Sequence, residues 1–414
     1  MLSLDEALQR LLEVATRHAI SESESVDTFD ALGRVLSGDV RSALDVPPGD
    51  NSSMDGYALR AADLGAPGTV LPVSQRIPAG VVGSPLAEGT AVRIFTGAQL
   101  PPGADTVVMQ EVCEAVAGPG LGAVRINAAP QPGEWVRRRG EDVARGATVL
   151  RRGERLTPQS LGLAASVGAA ALAVVRRPRV ALFSTGDELV MPGQPLKPGA
   201  IYNSNRFMLR ALLQASGCTV TDLGIVPDQL QATRDALRTA AQGHDLILSS
   251  GGVSVGEEDH LRPAAQAEGR LELWQIAIKP GKPLAFGEVT GVEVSTGVAR
   301  AALFIGLPGN PVSSFVTYLL AVAPVLKALQ GADARMPKAL PVRADFDWPK
   351  ADKRREFLRV RVNEQGGLEL FGNQSSGVLT SAVWADGLVD NPSGQVIRRG
   401  DAVGFMPMSE LLAP

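Results

Sequence analysis

The stretch from Asp245 to His260, DLILSSGGVSVGEEDH, holds the densest chemistry in the chain. Residues 246–248 read as a buried apolar strand, and 249–256 as a small-residue turn. Glu257, Glu258 and Asp259 follow directly. Glycines let backbone N–H groups crowd an oxyanion, and serines add hydroxyl donors. Carboxylates a few residues on suit Mg²⁺ held against that oxyanion. An anionic, phosphate-bearing ligand with a metal is one reading. An ordinary Gly-rich turn before an acidic helix start is the other.

Four more loops carry the same kind of chemistry, each directly after an apolar run. They are Thr185-Gly186-Asp187-Glu188-Leu189, Pro227-Asp228, Lys279-Pro280-Gly281-Lys282-Pro283 and Leu307-Pro308-Gly309-Asn310-Pro311. Glu188, Asp228 and Asp259 are hard oxygen donors suited to Mg²⁺. Lys279 and Lys282 flank a rigid Pro-Gly turn and could clamp two points of one anion. Asn310 is a good N-cap and Pro311 fits the first helical position, so a helix N-terminus offers free N–H groups there. In isolation each has a plain reading as a helix-terminal charge, a cap or an exposed lysine. Ligands of open α/β sheets bind outside the carboxyl ends of the strands, which is where all five loops would lie. No Walker A lysine motif is present, and no G-x-G-x-x-G opens a helix after the first strand of this region. That disfavours an ATPase or a nicotinamide dehydrogenase. The chain also lacks a G-x-S-x-G elbow and a His-based acid/base pair, so acyl-transfer hydrolysis has little support.

The elements that must position these loops alternate between strand and helix over residues 178–330, which predicts an α/β domain with a mainly parallel sheet. Within it, Asn205 is the expected N-cap of a helix that ends near Gly217. A strand is expected over 271–278 and one helix over 312–329. Residues 46–140 read as short strands with Gly/Pro turns, a β-rich domain inserted into an elongated domain made of 1–45 plus 141–177. Residues 337–414 form a further β domain, barrel- or sandwich-like. Ser3-x-x-Glu6 is a capping box, and Leu4, Leu8, Leu11, Leu12 and Ala15 make a helical stripe.

With 414 residues the chain can hold several cores. Aromatics are 4% and net charge is −4, so neither base-stacking platforms nor bulk basic character point to nucleic acid. Cys113 and Cys218 and the three histidines form no metal spacing. The N-terminus shows no apolar signal core, and 161–175 is too short and too rich in Gly, Ala and Ser to span a bilayer. The expected location is the cytoplasm, with no membrane partner.

In order along the chain stand SSMDGYA (52–58), TGA (96–98), GED (140–142), STGDEL (184–189), SSGGVSVGEED (249–259), IKPGKP (278–283) and LPGNPVSS (307–314). This set resembles the molybdopterin molybdenumtransferase family, the MoeA-like proteins that include the E domain of gephyrin. TGDEL, SSGGVSVG and PGNPVSS also occur in MogA-like molybdopterin adenylyltransferases. The MDGYA block, the β-rich insertion and the C-terminal β domain favour the MoeA-like member. The resemblance implies four domains with a MogA-like α/β unit, an elongated homodimer, and an upstream adenylyltransferase as partner. It implies that adenylylated molybdopterin and molybdate become molybdenum cofactor with release of AMP, in the presence of Mg²⁺. It further implies that Asp55, Thr96 and Asp142 of one subunit reach Glu188, Asp228 and Asp259 of the other, while Lys279 and Lys282 neutralise the phosphates. Ligand binding then falls to Thr185, Gly186, Asn205, Ser249, Ser250, Gly251, Gly252, Ser254, Pro308, Gly309, Asn310 and Pro311. An adenylyltransferase, or a non-enzymatic gephyrin-like scaffold, is the alternative.

Overall fold

The computed structural model describes residues 1–252, 260–292 and 299–412. Its largest unit is a six-stranded sheet ordered Thr219–Val226, Arg179–Thr185, Leu246–Ser250, Ala299–Leu307, Pro283–Val292, Gly269–Gln275. The first four strands are mutually parallel, and the last two join antiparallel. The Leu246–Ser250 strand is buried along its whole length, as a central parallel strand covered on both faces must be. Chain order runs outward from Arg179–Thr185 to one side and then crosses to Leu246–Ser250 on the other. That reversal opens a crevice at the carboxyl ends of these two strands.

Helices Ser204–Ala215 and Leu230–Ala241 cover opposite faces, since Leu209 and Leu213 join one core cluster and Leu237 and Ala240 another. The helix expected from Asn205 begins at Ser204, and its N-cap is Asn203, whose side chain accepts from the Arg206 N–H. Gly217 follows its end with φ +80°, the left-handed conformation that favours glycine after a helix. The single helix expected over 312–329 is three segments: Pro311–Thr317, a π-helical turn Tyr318–Val322, and Ala323–Leu329. Pro324 lacks the N–H that a regular helix would use, and the wider turn lies directly before that break. This helix is apolar enough to cross a membrane by length and composition, but 89% of it is buried inside the protein as a core helix.

The first helix, Leu4–Arg17, starts at the expected capping box. The sequence pattern assigns it to the elongated domain, 1–45 plus 141–177. Instead Leu4, Ala7, Leu11 and Ala15 share a core with Leu320, Val325 and Leu329 of the α/β domain. Its apolar face matches that helix's, and burying each leucine contributes roughly 1.5–3 kcal/mol. The elongated domain keeps the Ser23–Asp27/Ala171–Val175 ribbon and a core around Leu36, Leu156 and Val174. The inserted domain is a six-stranded sheet over residues 56–126.

The C-terminal domain pairs Arg355–Val362, Gly387–Asn391, Ala402–Pro407 and Leu340–Arg343 in that order, with Leu368–Leu370 on the other side of Arg355–Val362. A bridge from Ala344 to Leu368 closes the ring into a barrel-like unit around Phe346, Leu358, Val389 and Phe405. This sheet takes one strand from outside itself. Residues 271–278 were expected as one strand, but the strand stops at Gln275. Ile278–Lys279 then pairs in parallel with Arg355 and Glu356.

Candidate active site

One cleft of about 790 Å³ collects residues from all five strand-end loops: Thr185, Gly186, Glu188, Asp228, Gly251, Gly252, Lys279, Lys282, Pro308, Gly309 and Asn310. Its size suits a cofactor-sized ligand. The loops approach closely because glycine occupies positions where a side chain would be strained or would collide. Gly251 has φ +92°, and a Cβ there would sit 2.6 Å from the Thr185 carbonyl oxygen. Gly281 has φ +112°, and its Cβ would sit 2.4 Å from Thr317 Oγ1 on the core helix. Gly251→Ala is therefore expected to cost about 1–3 kcal/mol through backbone strain alone, with the clash added. Thermal melting checks this against Gly97→Ala, whose φ is also positive but whose Cβ would meet nothing within 4 Å. Equal losses in the two variants would contradict the packing argument.

Several ligand-binding expectations change. Ser249 and Ser250 are buried in the strand and do not line the cleft. The Gly251 N–H donates to the Leu307 carbonyl, so it is not free for an anion. Asn205 is a buried tie rather than a cap: its Nδ2 donates to Ser250 Oγ at 2.8 Å and to the Gly309 carbonyl at 2.7 Å. It thereby joins two of the loops. At the core helix, Asn310 holds the N-cap position without a side-chain cap bond, and Pro311 is the first helical residue but lies off the cleft wall. The Val312 N–H already donates to the Ser376 carbonyl, which reduces the free donors at that helix start. Ser254 and Asp259 lie outside the described residues, as do Glu257 and Glu258.

The cleft also holds residues that the sequence did not single out. Arg354, Gln374, Ser375 and Ser376 enter from the C-terminal barrel. Behind them Arg359, 1% exposed, donates to the Ser375 and Phe357 carbonyls and to Ser381 Oγ. Burial with only neutral acceptors pushes its pKa down to about 10. The Gln374 side chain clasps the Arg359 backbone on both its N–H and its carbonyl. A basic run before a strand was the only hint, and it reads equally as solvated surface. Asp187, also unassigned by sequence, accepts from the Asp228 N–H at 3.1 Å and sets that turn.

The charges are arranged unevenly. Glu188 is exposed and Asp228 half-buried on one side. Lys279, Lys282 and Arg354 stand on the other. Lys279 Nζ lies 2.9 Å from Glu356 Oε1 and 3.5 Å from Asp352 Oδ2. Arg354 is bidentate on Asp352, and this guanidinium holds the Asp352 carboxyl far below the usual carboxylate range. Among the described residues, Lys282 is the cleft cation without a carboxylate partner, so the expected two-lysine clamp has one arm engaged elsewhere. Thr185 Oγ1 is buried with no hydrogen-bond partner among the described residues, at the base of the same cleft.

Asp55, Thr96 and Asp142 do not line this cleft in their own chain. Asp55 Oδ1 accepts from the Thr96 N–H at 2.8 Å and from its hydroxyl at 2.7 Å. Those donors, the backbone one foremost, hold its pKa below the ordinary value. Asp142 is exposed on a loop whose N–H donates to the Val46 carbonyl.

Comparison with known proteins decides the family. Residues 2–168 match the family described as the MoeA N-terminal region (domain I and II), and 341–408 the MoeA C-terminal region (domain IV). Residues 181–328 match a probable molybdopterin binding domain. The chain belongs to the MoeA family. The Haemophilus influenzae protein named molybdopterin molybdenumtransferase is 38% identical over 423 residues, covering 100% of both chains. The protein of that name from Bacillus subtilis is 33% identical, covering 94% of this chain and 90% of that one. The crystal structure of the molybdopterin biosynthesis MoeA protein from Pyrococcus horikoshii OT3 superposes with a TM-score of 0.82 at 27% identity, covering 98% and 99%. In this MoeA-family chain the five-loop cleft falls at the border of the second and third matched regions, with the Asp55–Thr96 pair in the first.

Proposed function

We propose that this chain is a molybdopterin molybdenumtransferase acting in molybdenum cofactor biosynthesis. It inserts molybdenum from molybdate into adenylylated molybdopterin and releases AMP. The observation that carries this reading is the cleft itself. Glu188 and Asp228 follow the strands at one end of the sheet and the Lys279–Lys282 loop joins the two at the other end, with Arg354 tied beside it through Asp352, so acids and bases line separate parts of one cleft. That asymmetry suits a phosphoanhydride held between a cation-binding side and a phosphate-binding side.

The donor set is compatible with Mg²⁺. Among the described residues no group of three or more His, Cys, Asp and Glu could hold a metal alone. Two carboxylates suffice for Mg²⁺ when substrate phosphates complete its shell. Held by Glu188 and Asp228, the ion would neutralise negative charge on the substrate's phosphates. The protein's own groups do the rest. Lys282 pairs with phosphate or molybdate oxygens, and the Ser375–Ser376 loop supplies donors beside Arg354. Asp187 holds the Asp228 turn. Water attacks the phosphorus, the phosphoanhydride breaks, AMP leaves and the pterin keeps its own phosphate, while the two dithiolene thiols bond molybdenum and their protons depart with one molybdate oxygen as water. In a homodimer, Asp55, Thr96 and Asp142 would close the cleft of the other copy. An adenylyltransferase would supply the substrate.

Incubation with adenylylated molybdopterin, Mg²⁺ and molybdate tests the reading by following AMP and active cofactor. Molybdate-dependent formation of both is the expected result. Consumption of ATP with unadenylylated molybdopterin instead would replace it with adenylyl transfer.

A further inference from the structure

The cation that carries most of the fixed structure in this cleft is Lys279, and what fixes it comes from another domain. Glu356 is a carboxylate 1% exposed on the barrel strand Arg355–Val362. Its Oε1 accepts from Lys279 Nζ at 2.9 Å. Its Oε2 accepts from Trp348 Nε1 at 2.7 Å and from Asn391 Nδ2 at 3.3 Å. A buried carboxylate costs free energy unless it is paired and hydrogen-bonded, and here both oxygens are occupied. The Lys279 ammonium stands 5.8 Å from the centre of the Trp348 ring, a further attraction for a cation. Asp352 adds a second carboxylate at 3.5 Å and shares itself with Arg354. The backbone supports the same contact, since Lys279 and Glu356 face each other in the parallel strand pairing.

Lysine ammonium groups are mobile on a four-carbon stem. Without Glu356, the Lys279 head would keep only the longer Asp352 contact, which Arg354 shares, and would move more widely over the cleft. We propose that Glu356 is a positioning residue for the reaction. It holds the Lys279 ammonium at one point on the phosphate side, while Asp352 ties the Arg354 guanidinium into the same frame. Glu356 does not line the cleft. It acts through Lys279, and it joins barrel position to cleft geometry. The catalytic meaning of the contact rests on the reaction proposed above, whereas the contact itself does not.

Two readouts separate these claims. The first is acylation of lysines by acetic anhydride at fixed pH, resolved by mass spectrometry, with Lys282 as internal reference. In Glu356→Gln, Lys279 is expected to label several-fold faster than in the wild type, with Lys282 unchanged. The second is AMP release. Glu356→Gln is expected to lose on the order of tenfold, the scale typical of a lost orienting partner. Glu356→Asp regains part of that loss. Adding Glu356→Gln to Lys279→Gln costs nothing further, the non-additivity of groups that act as a unit. Should Glu356→Gln not fold, Glu356→Asp carries both readouts with smaller effects. Unchanged Lys279 labelling overturns the proposal, and so do independent losses that multiply in the double variant. A wild-type chain that releases no AMP sinks the proposed reaction alone, because the labelling result still decides whether Glu356 fixes Lys279.

Discussion

A Lys282→Gln chain is expected to release AMP about 100-fold more slowly than the wild type, with its melting temperature unchanged. The size follows from its isolation. Lys279 and Arg354 are already engaged by Glu356 and Asp352, so an incoming anion competes with protein carboxylates for them. Among the described residues, Lys282 answers to no such competitor. Its backbone is held by Pro280, Gly281 and Pro283, and Gly281 packs against Thr317 of the core helix, so the stem leaves the protein at a fixed place. A hundredfold loss is roughly 2.7 kcal/mol of transition-state stabilisation. The side chain is exposed, so stability barely moves. A rate within a few-fold of the wild type would remove Lys282 from the phosphate-binding wall.

The second large effect is expected on the opposite wall. Glu188→Gln removes a charge but keeps an oxygen, so the Mg²⁺ concentration needed for half-maximal AMP release is expected to rise about 10–100-fold. Asp228→Asn is expected to act in the same direction, and wild-type activity should vanish with chelator and return with added Mg²⁺. Both residues lie in loops, at the exit of Arg179–Thr185 and of Thr219–Val226, so the variants should fold. Chelator-resistant AMP release by the wild type would discard the metal altogether. An unchanged Mg²⁺ requirement in both variants would move the metal to other ligands.

Much of this site was legible because strand ends concentrate polar residues that a buried strand cannot hold. Thr185, Glu188, Asp228, Gly251, Lys282 and Asn310 each directly follow or closely trail an apolar run, and the parallel sheet brings the runs to one edge. The Ser3–Glu6 capping box was legible for the same local reason. What failed was anything set by tertiary context. Ser249 and Ser250 look like ligand donors by type, but the parallel ladder claims both residues inside the sheet. Asn205 has the composition of a cap, yet Asn203 takes that position and frees Asn205 to join two loops. Arg354, Ser375 and Glu356 stand roughly 70–100 positions beyond Lys279, and no local pattern records that they gather at the same cleft. The strand that ended at Gln275 rather than 278 belongs to the same class, because its last residues pair with a sheet formed later in the chain.

That borrowed strand has a consequence for how the molecule comes apart. Ile278–Lys279 belongs by sequence to the α/β domain and by hydrogen bonding to the barrel. The Ala277 carbonyl also accepts from the Arg355 N–H, and the Ala277 N–H donates to Leu2 beside the first helix. The N-terminal segment, the central sheet and the C-terminal barrel are thus stitched at residues 277–279, which also carry a cleft cation. Unfolding of the barrel would strip this stretch of its Arg355 and Glu356 partners and loosen Lys279 with it. The last domain and the cleft are therefore coupled, and a cut before residue 337 would remove Arg354, Gln374, Ser375 and Ser376 from the cleft along with the barrel.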